Sequence, residues 1–172
     1  MKVKTQAIAS RAQFSECKRF RYTLVRDFRL GSGTINFIML NPSTADEDFN
    51  DPTVGRCEKI AIANGFNQLI ITNLFAYRAT EPNDMKAAHR DGLDVTGGME
   101  NDQAIIQAAT LADQVICAWG NHGSMDLRSS AVRHLLQPMS TKLHYLVLNR
   151  SGEPKHPLYV STKQQPLAWG SP

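Results

Sequence analysis

Four short loops place neutral hydrogen-bonding side chains directly after an apolar run: residues 41–46 (NPSTAD), 73–78 (NLFAYR), 120–123 (GNHG) and 149–157 (NRSGEPKHP). Three of the four open with an asparagine, and two carry a histidine. Pro42 fixes the turn after Asn41 and keeps that residue out of helical geometry. The Asn41 amide can hold a water or a carbonyl but cannot take a proton; a simple Asx turn at a strand end satisfies the same pattern. Asn73 presents a donor and an acceptor side by side, which matches the edge of an amide, a pyrimidine or a purine. A strand-end cap accounts for it equally well. His156, bracketed by Pro154 and Pro157, can donate to a developing anion or move a proton near neutrality, and a surface histidine in a rigid loop is the plainer alternative. His122 lies between Gly120 and Gly123, where backbone can approach a ligand closely or simply form a flexible tip.

Other chemistries are less well supplied. Asp46, Glu47, Asp48 and Asp51 are close together but lack the spacing and terminal glutamate of an EF-hand, so a solvated acidic loop is the better reading. The glycine-rich phosphate cradles G-x-x-x-x-G-K-[ST] and G-x-G-x-x-G are absent. Cys17, Cys57 and Cys117 are too far apart for a zinc knuckle and too few for a four-thiolate cluster. The expectation is no metal and no organic cofactor, with idle or buried thiols in a reducing compartment.

The elements that must position these loops follow from composition and pattern. A chain of 172 residues, 42% apolar and 20% charged, fits one domain with a real core. It has no apolar run of the ~20 residues needed to span a bilayer and no secretory-type apolar core near its start, so a cytoplasmic protein without a membrane partner is expected. Near-continuous apolar runs at 35–40, 69–71 with Leu74, 115–119 and 143–148 predict strands covered on both faces. Helices are predicted at 52–63, with Asp51 as N-cap, Pro52 at the first position and Asn64-Gly65 as the stop, at 100–111, and at 129–136. This alternation predicts an α/β fold: three-layer α/β/α with a mainly parallel four-stranded central sheet. Residues 18–30 alternate and predict an added antiparallel strand or hairpin with the turn at 31–33, while 80–98 reads as a long surface connection. The chain divides into an N-terminal basic strand region (1–33), an α/β core (34–160) and a C-terminal tail (161–172). Residues 1–30 hold eight basic side chains against two acidic, and 31–60 five acidic against two basic. That contrast fits a phosphate-binding face beside a chemical site or a solvated charged strand.

With these residues in place, two resemblances stand out. The strings FIMLNPSTADEDFNDPTVGRC, NLFAYRATEP, WGNHG and GEPKHPLYV resemble a bacterial and phage family known only as a domain of unknown function, over nearly the whole chain. More distantly, the order of elements is similar to the uracil-DNA glycosylase superfamily, where a first strand ends in a G-x-N-P-G-like motif, a second ends in Asn, and a late loop carries His-Pro. That resemblance implies a uracil-DNA glycosylase-like fold and hydrolysis of the N-glycosidic bond of a base in DNA or a nucleotide, with no cofactor. It makes Asn41 the residue that orients water, Asn73 the residue that reads the base, and His156 the group that stabilises the leaving base. Pro42, Ser43, Asp46, Phe75, Tyr77, Arg78, Gly120 and His122 complete the expected substrate-binding set, with phosphates held by the basic N-terminal face or Arg78. Met39 and Ser43 stand where the motif has glycines, and Thr53 stands where many relatives carry a stacking aromatic, leaving Phe49, Phe75 or Tyr77 to substitute. The cysteines of the cluster-bearing relatives are missing. These departures keep open a non-catalytic module that binds a modified base or nucleotide, and an enzyme acting on free nucleosides or nucleotides.

Overall fold

A computed structural model of the chain describes residues 3–43 and 45–170. Lys2 of the basic segment, Thr44 of the first loop and the last two residues of the tail lie outside the described residues. The fold is mixed α/β, built on a seven-stranded sheet.

Four strands form its parallel centre: β4 (Thr34–Met39), β6 (Gln68–Asn73), β7 (Gln114–Cys117) and β8 (Leu143–Tyr145), in spatial order β6-β4-β7-β8. These are the four apolar runs, and the register pairs Ile35 with Leu69, Phe37 with Ile71 and Met39 with Asn73. Antiparallel strands extend both sides. β3 (Arg21–Asp27) pairs with β6, β2 (Ala9–Phe14) with β3, and β9 (Leu167–Ala168) with β8. A separate two-stranded pair joins β1 (Val3–Lys4) to β5 (Phe49–Asn50).

Alternation sends side chains to opposite faces. Ile35, Phe37, Met39, Leu69, Ile71 and Ile116 pack with Val54, Cys57, Ile60 and Ala61 of α1 (Pro52–Ala63). On the other side, Ile38, Val115 and Cys117 pack with Met85 of α2 (Pro82–Arg90), Ile105 and Ala109 of α3 (Gly98–Leu111), and Val132 of α4 (Arg128–Leu135). Helix α1 begins as its sequence requires, with Pro52 at the first position and Asp51 Oδ1 accepting from the Val54 N–H at 2.9 Å.

Three expectations need correction. The hairpin partner of residues 18–30 lies upstream, at β2, because the polar strand ASRAQF carries little apolar signal. The glycines at 31 and 33 make no hairpin, since β6 separates β3 from β4. Gly31 instead allows a close approach to the α1–β6 turn, where a Cβ would stand 2.4 Å from the Gly65 carbonyl oxygen. Third, residues 80–98 contain α2, a nine-residue helix with Pro82 at its start and His89 and Arg90 in its last turn. Only Met85 of that helix is buried, so it lacks an apolar stripe to announce it.

Part of the charge contrast is internal, although Lys4, Arg11, Lys18, Arg19 and Arg29 of the basic segment stay exposed. Arg21 and Arg26 are only 1% and 0% exposed, so they form no phosphate-binding face and no solvated strand. Arg26 donates to the carbonyls of Asp46 (2.6 Å) and Glu47 (3.0 Å) and to Asn50 Oδ1 (2.8 Å), and pairs with Glu58 of α1 at 3.3 Å. Arg21 Nη1 donates to the Ala45 carbonyl at 2.7 Å. The basic strand therefore holds the acidic loop from within. Among the described residues no helix is long and apolar enough to cross a membrane.

Candidate functional site

A cavity of about 480 Å³ opens at the carboxyl ends of the parallel strands, where loops of such sheets converge. Met39 to Asn41 line it from the end of β4, Asn73 from β6, Trp119 to Asn121 from the loop after β7, and Asn149, Lys155 and His156 from the loop after β8. Its size lies in the range of small-molecule pockets.

Asn73 is the central polar residue. It is 1% exposed, lies on the same strand face as cavity-lining Ile71, and its amide nitrogen is buried without a hydrogen-bond partner among the described residues. An unsatisfied buried amide costs about 1–3 kcal/mol, so this one is held in place by its surroundings. Asn101 of α3 does so by donating to the carbonyls of Asn73 (3.0 Å), Leu74 (3.3 Å) and Thr96 (2.8 Å). Arg128 Nε donates to the same Leu74 carbonyl at 2.8 Å, while its Nη2 pairs with Asp102 at 2.6 Å. We expect Asn73→Leu, which keeps the volume and removes the orphan, to raise stability by about 1 kcal/mol. The check is the urea midpoint at unchanged slope.

Asn41 donates its amide to the carbonyls of Ala79 (2.8 Å) and Pro42 (3.2 Å). Both donor hydrogens are thereby used, which fixes the amide's orientation and leaves Oδ1 as the free acceptor. His156 is half-buried, and its Nδ1 accepts from the Leu158 N–H at 3.3 Å, so in the neutral ring the proton sits on Nε2. Burial pushes its pKa below the usual imidazole value, with the Asp51 carboxylate pulling the other way. The imidazole is therefore neutral at pH 7 and able to donate. Gly120 supports it from below: at φ +76°, a left-handed conformation that favours glycine, it donates to the Pro154 carbonyl at 2.8 Å and sits against the His156 side chain.

Asp51 also lines the cavity, with both oxygens engaged, Oδ1 by the Val54 N–H and Oδ2 by the Ser43 hydroxyl. Arg21 lies on the same wall. Burial lowers its pKa to about 10 against the opposing pull of Asp51, and it stays a cation at neutral pH. Trp119 forms an apolar wall. Its indole N–H donates to Glu153 Oε2 at 2.5 Å, Ser129 holds the other oxygen at 2.8 Å, and Trp169, just after β9, packs on it with ring centroids 5.8 Å apart. Gly123 makes room for this indole, because a Cβ there would fall 2.1 Å from Trp119 Cδ1. Gly123→Ala is expected to displace the indole and lower stability by about 1–3 kcal/mol in urea unfolding.

Of the residues singled out in the sequence, Asn41, Ser43, Asn73, Gly120, His122 and His156 line this one cavity, as does Thr53. Pro42, Asp46, Phe75, Tyr77 and Arg78 do not. Asp46 organises its own turn, accepting from the Asp48 and Phe49 N–H groups. Phe75 is core, 1% exposed. Tyr77 packs edge-on against Phe20. Arg78 stacks over Phe14 and donates to the Lys18 carbonyl. Phe49 is an exposed residue of β5. The site roles of Arg21, Asp51, Trp119, Asn101 and Arg128 were missed. Only Asp51 carried a signal, as the helix cap that a cavity wall also uses.

Among the described residues no three His, Cys, Asp or Glu side chains gather as a metal site. Cys57 and Cys117 are buried, with thiol pKa values pushed up by burial, and Cys17 is exposed. No curated protein and no solved structure matches the chain. A family model does, and it begins at Arg21, the first residue to line the cavity, and ends at Leu158, leaving only Tyr159 of the lining outside it. Through residues 21–158 the chain belongs to the family described as Protein of unknown function (DUF1643).

Proposed function

We propose that the protein hydrolyses the N-glycosidic bond of a base in DNA or a nucleotide, with a three-layer, uracil-DNA glycosylase-like arrangement of its sheet and helices. The observation that carries this reading is the orphaned amide of Asn73 in a cavity it shares with a neutral imidazole. A flat heterocycle bearing a carbonyl beside a ring N–H satisfies that amide, and Met39, Ile71 and Trp119 supply apolar walls. A base in a duplex must first be extruded from the stack. His156 Nε2–H then donates to the base oxygen on which charge gathers as the C1′–N bond breaks. Asn41 Oδ1 accepts from the water that adds to C1′, and the water's proton passes to solvent.

The test is incubation of the purified protein with oligonucleotides carrying uracil and modified pyrimidines, scored for abasic sites. A broad panel left intact overturns the enzymatic reading. Where release occurs, its pH profile is diagnostic. With neutral His156 as the donor, the rate stays level above pH 7; as pH drops through the lowered histidine pKa, Nδ1 takes a proton and loses the Leu158 N–H that orients the ring, and the rate falls. A protonated His156 acting as acid gives the opposite limb, with the rate falling as pH rises.

A second reading, a module that binds the base without cutting it, is favoured by one observation. Asp51 accepts a hydrogen bond at each oxygen, from the Ser43 hydroxyl and the Val54 N–H, which ties the carboxylate to the loop and the helix end rather than leaving it turned to the water. Tight binding of an unaltered ligand after long incubation identifies that case.

A further inference from the structure

Of the phosphate holders expected from the sequence, Arg21 lines the cavity but is 1% exposed with its Nη1 donating to the Ala45 carbonyl, Arg26 is buried under the acidic loop, and Arg78 lies over Phe14. A second recess, of about 360 Å³, adjoins the cavity and shares Asn121 and His122 with it. Its remaining wall is Lys86, His89 and Arg90 of α2, with Ser124 and Met125 of the turn over residues 121–127.

Lys86, Arg90, Asn121 and His122 present donors to it, while Ser124 spends its hydroxyl hydrogen on the Asn121 carbonyl at 3.0 Å. Lys86 Nζ donates to His122 Nδ1 at 2.9 Å, since an ammonium has only donors, and this leaves the His122 ring proton on Nε2. Asn121 Oδ1 accepts from the Ser151 hydroxyl at 2.7 Å, leaving its amide N–H groups free. Among the described residues no carboxylate lines the recess. The adjacent Asp126 is already engaged by His89 at 2.7 Å, and neither Lys86 nor Arg90 forms an ion pair among the described residues. Two cations and fixed neutral donors without a competing acid suit an anion of several oxygens.

We propose that this recess binds the phosphate of the ligand whose base occupies the cavity, the sugar crossing the shared wall at Asn121 and His122. The proposal rests on the base-binding reading for the identity of the ligand, but the recess makes its own claim on a phosphate ester.

The experiment is calorimetric titration of the full chain with deoxyuridine, deoxyuridine 5′-monophosphate, 2-deoxyribose 5-phosphate and an octamer of deoxythymidylate. The monophosphate is expected to bind about tenfold more tightly than the nucleoside. In Lys86→Ala/Arg90→Ala that ratio falls to about one. Arg29→Ala/Lys163→Ala, which removes the same charge from exposed positions elsewhere, keeps it. Retention of the ratio in the first variant, or no binding of any phosphate-bearing probe to the native chain, overturns the proposal. The base-free sugar phosphate separates the two readings. If its binding is lost in Lys86→Ala/Arg90→Ala and nucleotide affinity ignores Asn73→Leu, the recess stands and the base pocket fails. Tighter binding of the octamer than of the monophosphate assigns the phosphate to a polynucleotide, and the reverse order assigns it to a free nucleotide.

Discussion

His156→Ala is expected to slow base release by about 10²–10³-fold while the protein stays folded. The magnitude is that of removing one preorganised donor aimed at developing negative charge, about 3–4 kcal/mol. The residue is suited to that task. Its Nδ1 is occupied by the Leu158 N–H, its neutral form is favoured by burial, and Gly120 and the prolines around it limit its movement. Little else depends on it, since the contact with Tyr159 is a loose one at 6.1 Å between ring centroids. The measurement is a single-turnover rate of abasic-site formation beside a urea melt. A rate within threefold of the native value removes His156 from the chemistry. A parallel loss of rate and stability assigns it to the scaffold.

Arg26→Met is expected to have the largest effect on stability, a loss of about 3–5 kcal/mol. The guanidinium is fully buried, and its removal strands the Glu58 carboxylate, itself 2% exposed, with Thr5 and the Gln6 N–H as its remaining partners. The carbonyls of Asp46 and Glu47 lose their donor in the same step. Arg26→Met/Glu58→Met removes both charges and is expected to recover a large part of that loss, because an apolar pair needs no compensating charge. Urea unfolding of the two single variants and the double variant completes the cycle. Additive losses refute the coupling. The Arg26→Met variant also weakens the cavity wall, since the loop that Arg26 holds leads into Asp51.

The parallel strands were legible because β4, β6, β7 and β8 are covered on both faces and so read as near-continuous apolar runs. Helix α1 was legible because Asp51, Pro52 and Asn64-Gly65 mark its ends by local chemistry alone. The loops that line the cavity followed from those strands, since ligands gather beyond their carboxyl ends. What stayed hidden depends on partners distant in the chain. Arg21 falls in the polar phase of the alternating strand and Arg26 interrupts its apolar phase, and the burial of both makes sense only once the carbonyls of residues 45–47 fold over them. Asn101 is one polar residue in a helix, and nothing nearby in the sequence says that it holds the end of β6. Phe75 and Tyr77 were set among the ligand contacts by their aromatic type, but the chain turns after Asn73 and sends both elsewhere. Helix α2 escaped because a single buried methionine makes no periodic pattern.

The chain has two tryptophans, Trp119 in the cavity wall and Trp169 packed on it outside the lining. Its intrinsic ultraviolet emission therefore arises from one neighbourhood, and a ring bound against Trp119 is expected to change it. Occupancy can be followed without a dye or label, and Trp169→Phe leaves a single fluorophore in the wall. The same arrangement sets a limit on the instrument: a signal change on heating reports the loss of this corner first and the rest of the sheet only where the two unfold together.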